Sequence, residues 1–293
     1  MYVPVIMTNI FRNVINMIFL LVDRILTPYI FTPQATPVKL ITDLIKQKNV
    51  HLFSIPLEQF EDNKFSVILI KPDSPSNIYA IFTHGNSSDI YTFFTYLQKF
   101  SDKFKVNVIC YDYPGYGLSK KLSNHIMSNT TMEEICYICQ ESVVNYVTSN
   151  LGVKKENILL VGRSLGTGVV VDYVSKHKWD KPIILFSPFK SVSRTKLDIE
   201  FIDKILTFLY KSKNQHGSYG FQSINKMDKI TCPIKIIHGE NDDVVPIHHS
   251  FDLNKVCKNK SLTPTYVTNS NHRDIVNRVN DNIIKDVFDN YFI

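Results

Sequence analysis

From residue 50 onward, short runs rich in β-branched and aromatic residues alternate with longer stretches whose apolar positions recur every three or four residues. Runs of the first kind, at 50–55, 65–70, 78–83, 106–111, 157–161, 182–186, 233–238 and 263–268, predict strands. Stretches of the second kind, at 89–101, 132–149, 165–176, 197–211, 247–257 and 274–290, predict helices. The first two strands are joined by a short loop, which suits an antiparallel hairpin. The later ones are separated by helices, as parallel strands require. An α/β fold with an eight-stranded, mostly parallel sheet and helices on both faces is the economical solution.

Residues 1–33 have a different pattern. Ile6, Ile10, Val14, Met17, Ile18, Leu21 and Ile25 recur at helical spacing, while Asn9, Arg12, Asn13 and Asn16 share the other face. The longest apolar run, 17–22, is too short to span a bilayer and is closed by Asp23 and Arg24. The spacing fits equally an amphipathic anchor lying in a membrane surface and a helix packed on the domain. A secretory signal is disfavoured, because Pro28, Pro33 and Pro37 follow without a small-residue cleavage pattern. Residues 34–293 are read as one domain, since 293 residues with 44% hydrophobic content support one large core.

The net charge of +6 is modest and spread along the chain, which argues against nucleic acid as a partner and leaves room for peripheral contact with an anionic membrane. Five cysteines, an odd number without framework spacing, favour free thiols and a cytoplasmic protein. Cys136 and Cys139 form a C-x-x-C inside an apolar helical stretch with no second pair, so buried thiols are the reading and no metal or cofactor is expected.

In a sheet of this kind reactive groups gather at the carboxyl ends of the strands. The fifth strand runs into Gly162-Arg163-Ser164-Leu165-Gly166, a G-x-S-x-G in the strand-turn-helix setting that presents a serine at the tip of a tight turn. A serine hydroxyl needs a base within hydrogen-bond reach, itself oriented by a carboxylate. Asp242 follows the seventh strand, with Glu240 and Asp243 as neighbouring competitors for the acid. His272 follows the eighth and precedes the last helix. Ser164, Asp242 and His272 are thus the candidate nucleophile, acid and base. The oxyanion of an acyl-transfer intermediate needs backbone donors, for which Leu165 and Asn86, in the loop after the third strand, are the candidates. His84 is read as a brace for that loop.

The segments "FTHGNSSD", "CYDYPGYGLS", "LLVGRSLGTG", "KIIHGENDDVVP" and "NSNHRDI" together resemble the α/β-hydrolases, most of all the domain-17 group of α/β-hydrolase domain proteins, with the domain-13 and bud-emergence-type relatives nearby. The resemblance runs from about residue 34 to the end of the chain. It implies an α/β-hydrolase fold and a membrane-associated serine hydrolase that cleaves acyl esters or thioesters, palmitoyl groups on protein cysteines included. Acylated proteins or lipids are the implied substrates. Ser164, Asp242 and His272 fall on that family's triad, Asn86 and Leu165 on its oxyanion hole. The group's N-terminal cysteine cluster has no counterpart, since no cysteine precedes Cys110. The lid of the fold would fall at about 187–230 and is short, holding one amphipathic helix. Two alternatives stand beside this reading: an aminopeptidase-like peptide hydrolase, and a non-catalytic, membrane-associated interaction protein.

Overall fold

The runs of β-branched and aromatic residues form β1 (Val50–Pro56), β2 (Lys64–Ile70), β3 (Tyr79–Thr83), β4 (Asn107–Tyr111), β5 (Ile158–Arg163), β6 (Ile183–Phe186), β7 (Ile234–Gly239) and β8 (Thr265–Val267). The computed structural model describes residues 44–57, 59–60, 63–196 and 220–292, and before them positions 14, 25, 27, 28, 30–34, 36, 37 and 42. The strands make one sheet in the order β1-β2-β4-β3-β5-β6-β7-β8. β1 and β2 pair antiparallel, with Val50 opposite Ile70, and β2 runs antiparallel to β4. Every pairing from β4 to β8 is parallel. Central parallel strands are covered on both faces, which is why β4, β5, β6 and β7 are buried at every residue, while β1 at the edge is buried only at Val50 and Ile55.

The helices are α1 (Ile90–Phe104), α2 (Asn124–Asn129), α3 (Met132–Asn145), α4 (Leu165–Lys176), α5 (Val192–Lys196), α6 (His248–Val256), α7 (Ile275–Arg278) and α8 (Asp281–Tyr291). α3 and α4 cover one face of the sheet in a core that includes Cys136, Cys139, Val143, Val169 and Tyr173. α1 and α8 cover the other, with Phe93, Phe94, Leu97, Val287 and Phe288. Both cysteines of the C-x-x-C are free, buried thiols in the first core.

Local chemistry sets the helix ends. Asp89 accepts a hydrogen bond from the Thr92 amide at 2.8 Å to open α1, and a capping box between Thr131 and Glu134 opens α3. Three predicted boundaries move. α1 continues to Phe104, past the expected end at 101, and is closed by Lys105 in the left-handed region. α3 widens into a broader helical turn over Tyr146–Asn150. The single helix expected over 274–290 is two, because Asn280 breaks it and caps α8, accepting from the Asn282 amide at 2.9 Å. The helix predicted at 197–211, which carries the expected lid, and nearly all of the amphipathic segment 1–33 lie outside the described residues. Among the described residues no helix is long and apolar enough to cross a membrane.

Candidate active site

β5 ends at Arg163 and α4 begins at Leu165, so Ser164 alone must turn the chain from strand to helix. It does so at φ 50° and ψ −119°, a backbone conformation that a residue with a side chain rarely adopts. The Ser164 amide donates to the Phe186 carbonyl at 2.9 Å, and Thr167 Oγ1 donates to the Ser164 carbonyl at 2.6 Å, which holds the turn from both sides. Gly166 leaves room for the close pass of α4 over β3: a Cβ there would collide with the Thr83 carbonyl.

Three loops that are distant in sequence converge on this turn. His272 Nε2 lies 2.9 Å from Ser164 Oγ, and His272 Nδ1 lies 2.8 Å from Asp242 Oδ2. All three side chains are buried or nearly so. The loop after β7 fixes the carboxylate, because Asp242 Oδ1 accepts from the Val244 and Val245 amides at 3.0 and 2.8 Å. The loop after β8 fixes the imidazole: the Asn241 amide donates to the Ser270 carbonyl at 2.9 Å, and Asp274 Oδ1 accepts from Ser270 Oγ and the Asn271 amide, each at 2.8 Å. Asp243 and Glu240 are exposed, and neither is bonded to His272, so Asp242 is the carboxylate the structure brings to the histidine.

The charges follow from these contacts. Burial by itself would raise the Asp242 pKa, but hydrogen bonds from His238 and His272 outweigh it and hold the carboxyl far below the ordinary carboxylate range. Burial lowers the His272 pKa below the ordinary imidazole value, the Asp242 hydrogen bond raises it, and the Arg163 charge lowers it again. The net result is a neutral imidazole at pH 7 that faces the serine with a proton-accepting nitrogen.

The loop after β3 lies directly against the serine: a Cβ on Gly85 would stand 3.0 Å from Ser164 Cβ. Asn86 follows, its side-chain oxygen accepting from Tyr116 Oη at 2.8 Å and the Thr32 amide at 2.9 Å, so the side chain is turned away and committed elsewhere. Leu165 opens α4, where first-turn amides have no intrahelical acceptor. His84 Nδ1 contacts the Gly85 carbonyl at 2.8 Å, and burial brings its pKa down to about 4, so it stays neutral and braces the loop. Asp112 ties the β4 loop to α1 by accepting from the Leu118 and Ile90 amides at 2.9 and 2.8 Å.

Two residues that sequence reasoning passed over belong to the site. His238, the penultimate residue of β7, sits with Nε2 3.2 Å from Asp242 Oδ2 and 2.8 Å from the Val245 carbonyl, and accepts at Nδ1 from Ser250 Oγ at 2.5 Å. Its place four residues before the acid was the available signal. Arg163, the variable residue of G-x-S-x-G, donates from Nη2 to the His272 carbonyl at 2.7 Å, with its guanidinium 5.6 Å from the centre of the Phe93 ring. An arginine closing an otherwise apolar strand was the signal there. A cleft of about 660 Å³ opens over Ser164 and His272. Among the described residues no group of three His, Cys, Asp or Glu side chains is placed to hold a metal ion.

Residues 94–289 match the prolyl oligopeptidase family, Peptidase_S9. The alpha/beta hydrolase L404 of Acanthamoeba polyphaga mimivirus is 39% identical over 217 residues, 73% of either chain. Alpha/beta hydrolase domain-containing protein 17C of Mus musculus is 28% identical over 214 residues, which make up 73% of this chain but only 60% of the mouse protein. Among solved structures, the esterase Pf2001 of Pyrococcus furiosus superposes with a TM-score of 0.64 at 18% identity, covering 89% of this chain and 98% of its own, which shows the shared fold.

Proposed function

The chain belongs to the α/β-hydrolases, within the prolyl oligopeptidase family, and from that premise we propose that it is a serine hydrolase of acyl esters and thioesters working through an acyl-enzyme on Ser164. The observation that carries this reading is the unbroken hydrogen-bonded line from Ser164 Oγ through His272 to Asp242. Nε2 of His272 takes the serine proton as Oγ attacks the substrate carbonyl, and the ionised Asp242 stabilises the imidazolium that forms. The amides of Leu165 and Asn86 receive the developing oxyanion. The alcohol or thiol departs with the proton from His272, and water, activated by the same nitrogen, frees the acyl group.

Palmitoyl thioesters on proteins are the substrate we favour within this class, on the likeness to the domain-17 group. Peptide hydrolysis is the second reading, favoured by the match to the prolyl oligopeptidase family. An aminopeptidase needs a carboxylate to hold a free amino terminus, and none lines the cleft among the described residues, so ester chemistry ranks first. The deciding experiment treats wild type and Ser164→Ala with a fluorophosphonate probe and follows a palmitoyl thioester, a short-chain ester and an aminoacyl amide in parallel. Labelling and turnover confined to the wild type, with thioester cleaved faster than amide, is the expected result. Folded wild type that does not label would move the non-catalytic interaction role to the front.

A further inference from the structure

The cleft above Ser164 has an uneven charge. Arg163, Lys99 from α1 and Arg273 from the loop after β8 all line it, and among the described residues no aspartate or glutamate does. None of the three cations forms an ion pair among the described residues. Lys99 and Arg273 are exposed, and a solvated lysine at a rim needs no explanation by itself. Arg163 is different, because it is only 7% exposed. Burial brings its pKa down to about 10, against the pull of the Asp242 charge, and its Nε has no hydrogen-bond partner. A buried guanidinium whose Nε has no acceptor is costly unless one joins it.

A second side chain points to the same occupant. Tyr96 also lines the cleft, and its buried hydroxyl has no hydrogen-bond partner. Buried hydroxyls are ordinarily satisfied, so an open donor lining the same cleft as a buried guanidinium with an unsatisfied Nε marks a place for an acceptor that carries charge. The position is next to the chemistry: a Cβ on Gly85 would lie 2.7 Å from Arg163 Nη1 and 3.0 Å from Ser164 Cβ.

We propose that the cleft selects substrates bearing an oxyanion group, a carboxylate or a phosphate, within a few atoms of the scissile carbonyl, held by Arg163, Lys99 and Arg273. This deepens the serine-hydrolase reading and rests on it. The oxyanion adds no step to the reaction; it orients the ester so that the carbonyl meets Ser164 Oγ, and it gains most where water is excluded.

The test compares matched esters in two series. On the acyl side, the 4-nitrophenyl ester of valeric acid is set against the corresponding half-esters of glutaric and 4-phosphonobutyric acid. On the leaving-group side, methyl 4-acetoxybenzoate is set against 4-acetoxybenzoate. Only turnover lost in Ser164→Ala is counted, which removes neighbouring-group hydrolysis. In at least one series kcat/KM for the anionic ester is expected to exceed that of its neutral partner by roughly tenfold. That ratio should fall toward one in Lys99→Gln, survive in Lys99→Arg and shrink with added salt. The carboxylate and phosphonate half-esters tell the two sources of negative charge apart. Neutral esters cleaved as fast as anionic ones in both series would overturn the proposal while leaving the serine-hydrolase reading intact. Failure of the fluorophosphonate probe to label Ser164 would overturn the reading beneath it.

Discussion

Position 242 shows how much a single residue depends on its neighbours in space. Asp242 and Asp243 are adjacent and chemically identical, yet only the first turns inward to accept from His272 Nδ1, with two amides on its other oxygen. Asp242→Asn is therefore expected to lower kcat/KM by about 10² to 10⁴, because the amide no longer stabilises the imidazolium. Asp243→Asn, on the exposed side of the loop, should stay within about threefold of wild type. Steady-state kinetics on one ester checks both. A pH profile tests the base. His272 must be neutral to accept the serine proton, so activity rises with pH through its pKa, and a pKa lowered by burial and Arg163 moves that limb to the acid side of the ordinary imidazole range. The acid limb of kcat/KM should thus have its midpoint below about 6.5. Ser164, Asp242 and His272 were legible in the sequence because each stands in the turn or loop that follows a strand. Choosing between the two aspartates was not, since a loop carboxylate's direction is set by amides that periodicity does not report.

At the scale of elements, the same local rules that made the strands readable explain the helix ends that moved. Strand runs are marked by β-branched and aromatic residues, and all eight predicted strands correspond to observed ones. Asn280 was also visible as a helix-capping residue, but an apolar periodicity that continues across it concealed the break between α7 and α8. One element contact joins α3 to the chain that returns after β6. Glu133, in the first turn of α3, accepts from the Gly220 and Phe221 amides at 2.6 and 2.9 Å and from Tyr137 Oη at 2.6 Å. Burial pushes its carboxyl up to about 7, against the nearby Lys226 charge and these hydrogen bonds. Glu133→Ala would strand two buried amide donors and should cost about 2–4 kcal/mol of stability, read from the midpoint of urea unfolding at constant slope.

Across the whole molecule, the order of the motifs along the chain pointed to the α/β-hydrolase fold, and the strand order and family match agree with it. The amphipathic segment at residues 1–33 is a separate question of partition between membrane and water. Its apolar positions recur at a spacing that fits equally an in-plane anchor and a helix packed on the domain, and truncation separates the two. Deleting residues 1–27 keeps Thr32, whose amide holds Asn86. The truncated protein is expected to move from the membrane to the soluble fraction in a flotation assay, with fluorophosphonate labelling of Ser164 retained. Unchanged partition would remove the anchor.

Sequence by itself determined which residues form strands, where a serine stands in a strand-turn-helix junction, and which late loops carry an acid and a histidine, because these depend on residue type and on spacing along the chain. Tertiary structure alone decided that Asp242 rather than Asp243 meets His272, that His238 and Arg163 join the site, and that among the described residues the cleft is lined by three cations and no carboxylate. Those outcomes rest on contacts between residues as far as 109 positions apart, formed where parallel strands bring their carboxyl ends side by side. Distance along the chain carries no record of that closeness.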